Sequence, residues 1–326
     1  MPFSDSAPSA PTVYSTVAAY RAQRHQWHRE GKRVGVVLTM GALHEGHLAL
    51  VEAAAAENDV VVVSIFVNPS QFAPTEDLDR YPRTFDDDCT TLARQGHTTA
   101  VWAPTVAEMY PSGITTDPAQ RRGTFVAVHG KSHQLEGAVR PHFFSGVATI
   151  VAKLFHILAP THAYFGQKDA QQCVVLASMV RDLRMDLQLR IVPTHREADG
   201  LARSSRNRFL SPEDRRLAPC LYAALAAMQA AWTTAPATAV ADLLRHAQTA
   251  LNAALAQVLP EASQEARRAR FTLQYMSVTH PDTLEPLETI EPGVGALASA
   301  AVLLGQTRII DNVLIGLTCD QWCRTD

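Results

Sequence analysis

Two histidines three residues apart, His44 and His47, are the side chains in this sequence best placed to act on a phosphate group. They lie where an apolar run at 34–38, typical of a buried strand, gives way to an alanine-rich run at 48–56, typical of a helix. The first turn of a helix offers unpaired N–H groups and a positive dipole end, and imidazoles one turn apart face the same side. The turn therefore predicts an anion site, although a capped, solvated helix start explains this segment equally well on its own.

The glycines of this turn favour the anion site, because Gly41 and Gly46 would let a ligand approach the backbone closely. The histidine spacing does not fit the zincin pattern, which needs two histidines four residues apart. The turn comprises Met40, Gly41, Ala42, Leu43, His44, Glu45, Gly46 and His47.

A second candidate site follows the apolar run at 60–67, which lacks alternation, as a central strand covered on both faces does. Asn68 and Gln71 carry amides there that could hold a small polar substrate by hydrogen bonds. An Asn-Pro turn is the simpler explanation of this segment taken alone.

A third candidate site follows another predicted strand and contains Gly166, Gln167, Lys168, Asp169 and, one turn later, Gln172. Lys168 could neutralise phosphate charge, and Asp169 could bind a ribose hydroxyl or a metal-bound water. Gln172 would face the same way. A solvated helix start explains the segment equally well.

A fourth candidate site is the polar loop at 196–207, which is rich in arginine and small hydroxyl residues and could close over a polyphosphate. Arg206 is its best candidate for stabilising charge on a transferred phosphate. The alternative is an interdomain linker with ordinary surface arginines. Because all four segments suit phosphates or small acids, one common cleft is the more economical interpretation.

The elements that must position these residues alternate between strand and helix over the first two thirds of the chain. Strands are predicted at 34–38, 60–67, 99–103, 124–128, 162–165 and 187–192, and helices at 13–29, 44–57, 85–95, 145–158 and 170–181. This order predicts an α/β fold, a Rossmann-like doubly wound parallel sheet. Ligands of such sheets bind at the carboxyl ends of the strands, which the first three candidate sites follow.

The pattern changes after about residue 193. Ser211 and Pro212, followed by two acids, mark a helix start, alanine-rich helices continue to about 259, and strands are predicted at 271–278, 300–304 and 308–315. We therefore expect a ligand-binding domain at 1–195, with a loose tail at 1–11, and a smaller C-terminal α+β domain at 196–326 that closes over the site. Segments 112–123 and 233–238 have the composition of surface insertions.

The overall composition indicates a globular enzyme. Of 326 residues, 47% are hydrophobic and 19% charged, and the net charge of −3 gives no reason to expect nucleic acid as a partner. No run of about 20 apolar residues predicts a membrane span, and the N-terminus lacks signal-peptide features. Five cysteines form no disulfide framework, which favours a cytoplasmic setting. Cys319 and Cys323 could contribute to a zinc site, but no second pair of ligands is visible.

Six segments together resemble the pantothenate synthetase (pantoate–β-alanine ligase) family. They read TMGALHEGHL, VSIFVNPSQF, DLDRYPRTFDDD, KLFHILAP, FGQKDAQQ and DGLARSSRNRFL. The resemblance covers residues 31–210 and continues weakly to 308–312. The first segment carries an H-x-G-H signature shared with the wider nucleotidyltransferase superfamily, whereas the others are particular to this family.

The resemblance implies a two-step ligation. Pantoate would attack the α-phosphorus of ATP to give pantoyl adenylate and pyrophosphate, and the amine of β-alanine would then displace AMP to give pantothenate. No protein nucleophile is required, so the protein would align the reactants and neutralise charge. Mg²⁺ would accompany ATP and keep most of its waters, with no direct protein ligand; Asp88 or Asp169 could bind those waters. A homodimer is expected, as is common in the family.

The resemblance also implies roles for the candidate residues. Catalysis falls to His47, His44, Lys168 and Arg206. ATP binding falls to residues 40–47, to Gly166, Gln167, Lys168 and Asp169, and to Arg203, Ser204, Ser205 and Arg206, with His195 at the adenine. Pantoate and β-alanine binding falls to Gln71 and Gln172, together with Asn68.

Several positions depart from the family pattern. They are Leu38, His142 and Phe143, Gln167, Ala170, His195 and Arg203. The last two could change the fit of the nucleotide, so we expect activity with altered ATP affinity. Two alternatives stay open: an adenylyltransferase that keeps its adenylylated product, and a non-catalytic nucleotide-binding protein descended from the ligase.

Overall fold

The computed structural model describes residues 10–73, 78–236 and 239–325. The predicted loose tail therefore lies outside the described residues up to position 9, and the second predicted insertion does so at positions 237 and 238. The described residues divide into two compact units. One lies within Met1–Phe165, Val175–Val192 and Arg324–Asp326, and the other within Gly166–Val174 and Pro193–Cys323.

A six-stranded sheet with flanking helices forms the first unit. In chain order, the elements up to residue 192 are β1 Thr12–Tyr14, α1 Val17–Arg29, β2 Val34–Thr39, α2 Glu45–Glu57, β3 Val60–Ile65, α3 Phe85–Gln95, β4 Ala100–Trp102, α4 Val106–Met109, α5 Glu136–Val139, α6 Phe143–Leu158, β5 His162–Gly166, α7 Ala170–Asp182 and β6 Gln188–Val192. The strand order is β1-β4-β3-β2-β5-β6, and the pairs from β1 to β5 are parallel. The predicted α/β fold with a parallel sheet is confirmed.

The register of the central strands determines where the first two candidate sites begin. Val34 of β2 pairs with Val60 of β3, and Thr39 pairs with Ile65. Both strands therefore end at the same level. The segments that follow them start side by side at the carboxyl edge of the sheet, where ligands of such folds bind.

Valines make the central strand suitable for burial on both faces. Val61 and Val63 of β3 pack with Leu50 and Ala54 of α2 and with Leu92 of α3 in one hydrophobic cluster. Burying a side chain of this size contributes about 1.5–3 kcal/mol. Val60 and Val62, which alternate with them on the other face, are buried as well, so the absence of alternation in β3 has the cause inferred from the sequence.

Helices and an antiparallel sheet form the second unit. After residue 192 come α8 Pro212–Leu217, α9 Cys220–Thr234, α10 Val240–Val258, α11 Gln264–Arg270, β7 Phe271–Thr279, β8 Ala296–Leu304 and β9 Thr307–Ile315. The three strands pair in the order β7-β8-β9. Leu225, Met228 and Leu243 of the helices and Val302 of β8 share its buried core. Ser211 caps α8 as predicted, accepting from the Asp214 N–H.

The predicted strand at 124–128 is wrong, because this segment is a loop. Side chains of α6 satisfy its backbone instead of a neighbouring strand. The Val126 N–H donates to Thr149 Oγ1 at 2.9 Å, and Ser145 Oγ donates to the Val126 carbonyl oxygen at 3.0 Å. An apolar, β-branched composition is compatible with both arrangements, and the partner lies about 20 residues further along the chain.

The predicted helix start at residue 13 is also wrong. Thr12–Tyr14 is the edge strand β1, and the helix begins at Val17, where Thr16 accepts from the Ala19 N–H at 3.3 Å. Three residues are too few to show a periodicity. Elsewhere the boundaries differ by a few residues; α6 begins at Phe143, and β8 begins at Ala296. No helix in the described ranges is long and apolar enough to cross a bilayer.

Candidate functional site

The turn that carries the two histidines is built on the end of β2. Thr39 Oγ1 donates to the Ser64 carbonyl oxygen at 2.8 Å and accepts from the Gly41 N–H at 3.1 Å. Gly41 has a φ of +84°, and a Cβ there would lie 3.0 Å from an Asp88 carboxylate oxygen. Glycine at 41 is therefore required by the turn itself, through both its backbone angle and its close neighbour.

Asp88, in the first turn of α3, holds this turn in place. Its Oδ1 accepts from the Leu43 N–H at 2.8 Å, and its Oδ2 accepts from the Ala42 N–H at 3.0 Å and the Thr84 hydroxyl at 3.2 Å. The side chain is buried, so these are charge-assisted bonds in a region of low dielectric. Asp88, which the sequence analysis suggested as a ligand of the waters around Mg²⁺, thus binds the backbone of the histidine turn.

The histidines cap the helix that they begin. His44 Nδ1 accepts from the Gly46 N–H at 3.2 Å, and His47 Nδ1 accepts from the His44 N–H at 3.3 Å. The second of these bonds forms a capping box with a bond from the His47 backbone N–H to the His44 side chain. The ring centroids are 4.1 Å apart. Because each Nδ1 is an acceptor, the neutral rings carry their protons on Nε2. The helix start is therefore capped by residues whose Nε2–H groups are donors suited to an anion.

A 3₁₀ turn that ends at Gln71 forms the second candidate site. Asn68 is 1% exposed; its Nδ2 donates to Gln71 Oε1 at 3.0 Å and to the Gly146 carbonyl oxygen at 3.3 Å, and its Oδ1 accepts from the Ser70 N–H at 3.3 Å. Both ends of the Asn68 amide are thus engaged inside the protein. Gln71 is half-buried, and its Nε2 lies 3.2 Å from Met40 Sδ, so this turn touches the histidine turn.

A buried asparagine of β9 holds the third candidate segment in the second unit. Asn312 Nδ2 donates to the carbonyl oxygens of Gln167 at 2.9 Å and Lys168 at 3.0 Å, and Gln167 Nε2 donates to Asn312 Oδ1 at 3.1 Å. Lys168 Nζ lies 3.4 Å from Asp169 Oδ1. Sequence reasoning missed Asn312, whose partners are about 145 residues away; its only signal was the weak resemblance at 308–312.

Arg196 anchors the polar loop to β9 of the same unit. It forms a bidentate pair with Asp311, at 2.6 and 3.0 Å, and lies 3.7 Å from the Tyr222 ring centroid. Burial raises the pKa of Asp311 although Arg196 opposes that shift. A Cβ on Gly200 would lie 2.6 Å from the same tyrosine ring, so the loop packs tightly.

The rest of the loop places Arg206 differently. Ser204 Oγ accepts from the Arg206 N–H at 3.3 Å and caps a 3₁₀ turn that begins at Ser205. The Arg206 guanidinium is half-buried and makes no hydrogen bond or ion pair with a residue of the described ranges. The two departures near the predicted adenine position are backbone neighbours, since the Arg203 N–H donates to the His195 carbonyl oxygen at 2.9 Å.

Each unit thus assembles part of the predicted set. The first unit brings together the turns that carry Met40, His44, His47, Asn68 and Gln71. The second unit contains Gly166, Gln167, Lys168, Asp169, Gln172, His195, Arg203, Ser204, Ser205 and Arg206. Across the described part of the chain, no three His, Cys, Asp or Glu side chains are grouped so that they could hold a metal ion.

Comparison with known proteins decides the family. The sequence model of the pantoate-beta-alanine ligase family matches residues 12–314. The pantothenate synthetase of Koribacter versatilis is 46% identical over 305 residues, covering 93% of this chain and 95% of its own length. That of Chloroflexus aggregans is 48% identical over 306 residues, covering 93% and 99%.

The chain belongs to the pantoate–β-alanine ligase family. Solved structures agree: the pantothenate synthetase of Thermus thermophilus has a TM-score of 0.78 at 43% identity, covering 93% of this chain and 98% of its own. A pantoate-beta-alanine ligase from Francisella tularensis, complexed with beta-gamma ATP and beta-alanine, has a TM-score of 0.70 at 27% identity, covering 95% and 100%. The protein is thus a ligase of pantothenate biosynthesis that joins pantoate to β-alanine, and the predicted enzyme class is confirmed.

The structure explains one departure from the pantoate–β-alanine ligase pattern. Gln167 uses both ends of its amide, donating to Asn312 Oδ1 at 3.1 Å and accepting from the Cys319 thiol at 3.3 Å. A carboxylate in this buried position could not donate to Asn312. The glutamine is therefore matched to the asparagine that holds the Lys168 segment.

A second departure changes an aromatic contact in this ligase. His142 has a left-handed φ of +71° and precedes α6, whose first residue is Phe143. The Arg140 guanidinium lies 3.8 Å from the Phe143 ring centroid and donates to the Gln71 carbonyl oxygen at 3.2 Å. The phenylalanine thus holds an arginine that contacts the backbone of the Gln71 turn.

Proposed function

We propose that this ligase works through a pantoyl adenylate made from ATP, with the histidine turn as the site of phosphate binding. The observation that supports this best is the fixed tautomer of His44 and His47, because each presents Nε2–H next to the start of α2. Two donors and a positive dipole end together favour the charge on ATP phosphates. Backbone hydrogen bonds orient the rings in advance, so reorganisation during the reaction is small.

The first chemical step needs alignment more than covalent help. A pantoate carboxylate oxygen forms a bond to the α-phosphorus while the bond from that phosphorus to the bridging oxygen of pyrophosphate breaks. Negative charge accumulates on the departing pyrophosphate. Lys168 and the Arg206 guanidinium are the cations proposed to neutralise it, with the hydroxyls of Ser204 and Ser205 as donors.

Pantoate would be held by the amides of Gln71 and Gln172. The binding role first suggested for Asn68 becomes a positioning role in this proposal, since its buried amide orients Gln71. Gln172 is half-buried in the first turn of α7. Amides can donate to the hydroxyls and carboxylate of pantoate without adding a charge that would pair with the nucleophile.

In the second step the β-alanine amine attacks the acyl carbon of the adenylate, AMP leaves with the bonding electron pair, and the amine loses a proton to give the amide. The Francisella tularensis relative, complexed with beta-gamma ATP and beta-alanine, supports these two molecules as substrates here. Mg²⁺ is proposed to enter as part of the Mg–ATP substrate, because Asp88 is engaged with backbone and Asp169 lies beside Lys168.

Isotope exchange tests the adenylate directly. We expect labelled pyrophosphate to enter ATP when pantoate is present and β-alanine is absent, because the first step is complete and reversible without the amine. AMP release in steady state should then require both pantoate and β-alanine. Exchange that appears only after β-alanine is added would refute the intermediate, even if pantothenate is still formed.

The homodimer stays a prediction, since the contacts described are those of one chain. Light scattering after size-exclusion chromatography would measure the mass against the 35.5 kDa of the single chain.

A further inference from the structure

The predicted insertion at 112–123 is the part of the chain to which the proposed reaction gives no task. Tyr110, two residues before this segment, and Arg121, within it, both contact the turn that carries Gln71. All of these residues belong to the first unit.

Tyr110 contributes to the orientation of the Asn68 amide. Its hydroxyl donates to Asn68 Oδ1 at 2.6 Å and lies 3.0 Å from Ser70 Oγ. Because the oxygen end of the amide faces this donor, the nitrogen end faces Gln71 Oε1, which in turn leaves Gln71 Nε2 as the end directed away from Asn68. The Tyr110 phenol gives the shortest of the hydrogen bonds that orient the Asn68 amide, and the Ser70 N–H and the Gly146 carbonyl oxygen favour the same orientation. The phenol therefore helps to determine which end of the Gln71 amide the turn presents.

The phenol is itself held and kept protonated. Lys153 Nζ donates to the Met109 carbonyl oxygen at 2.8 Å and lies 4.5 Å from the Tyr110 ring centroid. Burial raises the pKa of Tyr110 and lowers that of Lys153. Since the Tyr110 pKa moves further above neutrality, its hydroxyl is a hydrogen-bond donor throughout the working pH range.

Arg121 holds the backbone of the same turn. One guanidinium nitrogen donates to the Ser70 carbonyl oxygen at 2.9 Å, and its buried Nε has no partner among the described residues. A Cβ on Gly146 would lie 2.2 Å from that carbonyl oxygen. The carbonyl is thus confined between α6 on one side and the arginine on the other.

We propose that Tyr110 and Arg121 are positioning residues for pantoate, and that these two side chains together brace the Gln71 turn. The inference rests on the proposed role of Gln71 in binding pantoate. The brace acts on orientation: Tyr110 fixes the amide, and Arg121 fixes the backbone that carries it. Neither residue is assigned a contact with ATP.

The test compares Tyr110→Phe and Arg121→Gln with Arg122→Gln, a control at the exposed neighbouring arginine. We expect the KM for pantoate to rise about 5- to 10-fold in each of the first two variants, the scale of one lost hydrogen bond. The KM for ATP should stay within about twofold. Arg121→Lys, which keeps a donor for the Ser70 carbonyl, should recover part of the loss.

Hydrogen exchange of the peptide covering 66–73 gives a readout that does not depend on activity. It should accelerate in Tyr110→Phe and Arg121→Gln but not in Arg122→Gln. Unchanged exchange, or pantoate and ATP KM values that rise together with a lower Tm, would overturn the brace. If exchange accelerates while the pantoate KM is unchanged, the brace stands and the proposed role of Gln71 fails.

Discussion

Replacing Asp88 by asparagine would test whether the histidine turn is held by this carboxylate, which lies about 45 residues away in sequence. The substitution keeps the shape of the side chain but removes its charge and one of its two acceptor oxygens. If the amide oxygen keeps the Ala42 N–H and the Thr84 hydroxyl, the amide nitrogen must face the Leu43 N–H. The hydrogen bond from the Leu43 N–H is then lost, and this N–H faces the amide N–H of the new asparagine in a buried region.

The size of the effect follows from those contacts. A hydrogen bond to a charged group contributes about 1.5–3 kcal/mol, and the lost bond here is the shorter of the two to backbone, at 2.8 Å. If this energy serves to hold the turn in its binding conformation, kcat/KM for ATP falls by about 10- to 100-fold. The KM for pantoate should change much less, because the Gln71 turn is held by other groups.

The assay is pantoate-dependent pyrophosphate release with ATP varied, and the control is Asp87→Asn. Asp87 is the exposed neighbour on α3, so its substitution removes the same charge without touching the turn. Equal losses in the two variants would show that charge alone matters. An Asp88→Asn enzyme with wild-type kcat/KM for ATP would refute the positioning role of Asp88.

Three further predictions address other residues. His47→Ala should slow adenylate formation by about 100-fold or more, the scale of losing one transition-state donor, and near-normal pyrophosphate release would contradict the catalytic assignment. Gln71→Ala should mainly raise the KM for pantoate in steady-state assays, whereas an altered ATP KM alone would contradict it. The hydrogen bond from Arg190 lowers the pKa of Glu57 from an ordinary 4.5 to about 2, so its contribution is full above about pH 4.5 and lost as pH falls towards 2. Denaturation of Glu57→Gln should show a deficit of about 1–2 kcal/mol at pH 7, after solvent screening, and a smaller one at pH 3; a pH-independent deficit would exclude this linkage.

The sequence predicted what depends on local pattern. The valines of β3 and the histidines at the start of α2 lie within short runs of sequence whose composition indicates a strand or a helix start. Strand, turn and helix could therefore be predicted together. The sequence did not predict the contacts made by Asp88, by Asn312 and by the Arg196–Asp311 pair, because the partners lie about 45–145 residues apart in sequence. Local pattern also failed where a strand was too short, as in β1, or where side chains replaced a strand partner, as at Val126.

The contact at Gly146 has a consequence for how sequences of this kind can diverge. The main chain of α6 approaches the Ser70 carbonyl so closely that even one added carbon would meet it at 2.2 Å. One turn earlier in α6, the Phe143 ring instead contacts the Arg140 guanidinium, 3.8 Å from its centroid, and that arginine donates to the Gln71 carbonyl oxygen. A substitution at the start of α6 can therefore alter the surroundings of the Gln71 turn. A side chain at position 146 itself would not fit, because the backbones of α6 and of Ser70 are too close there.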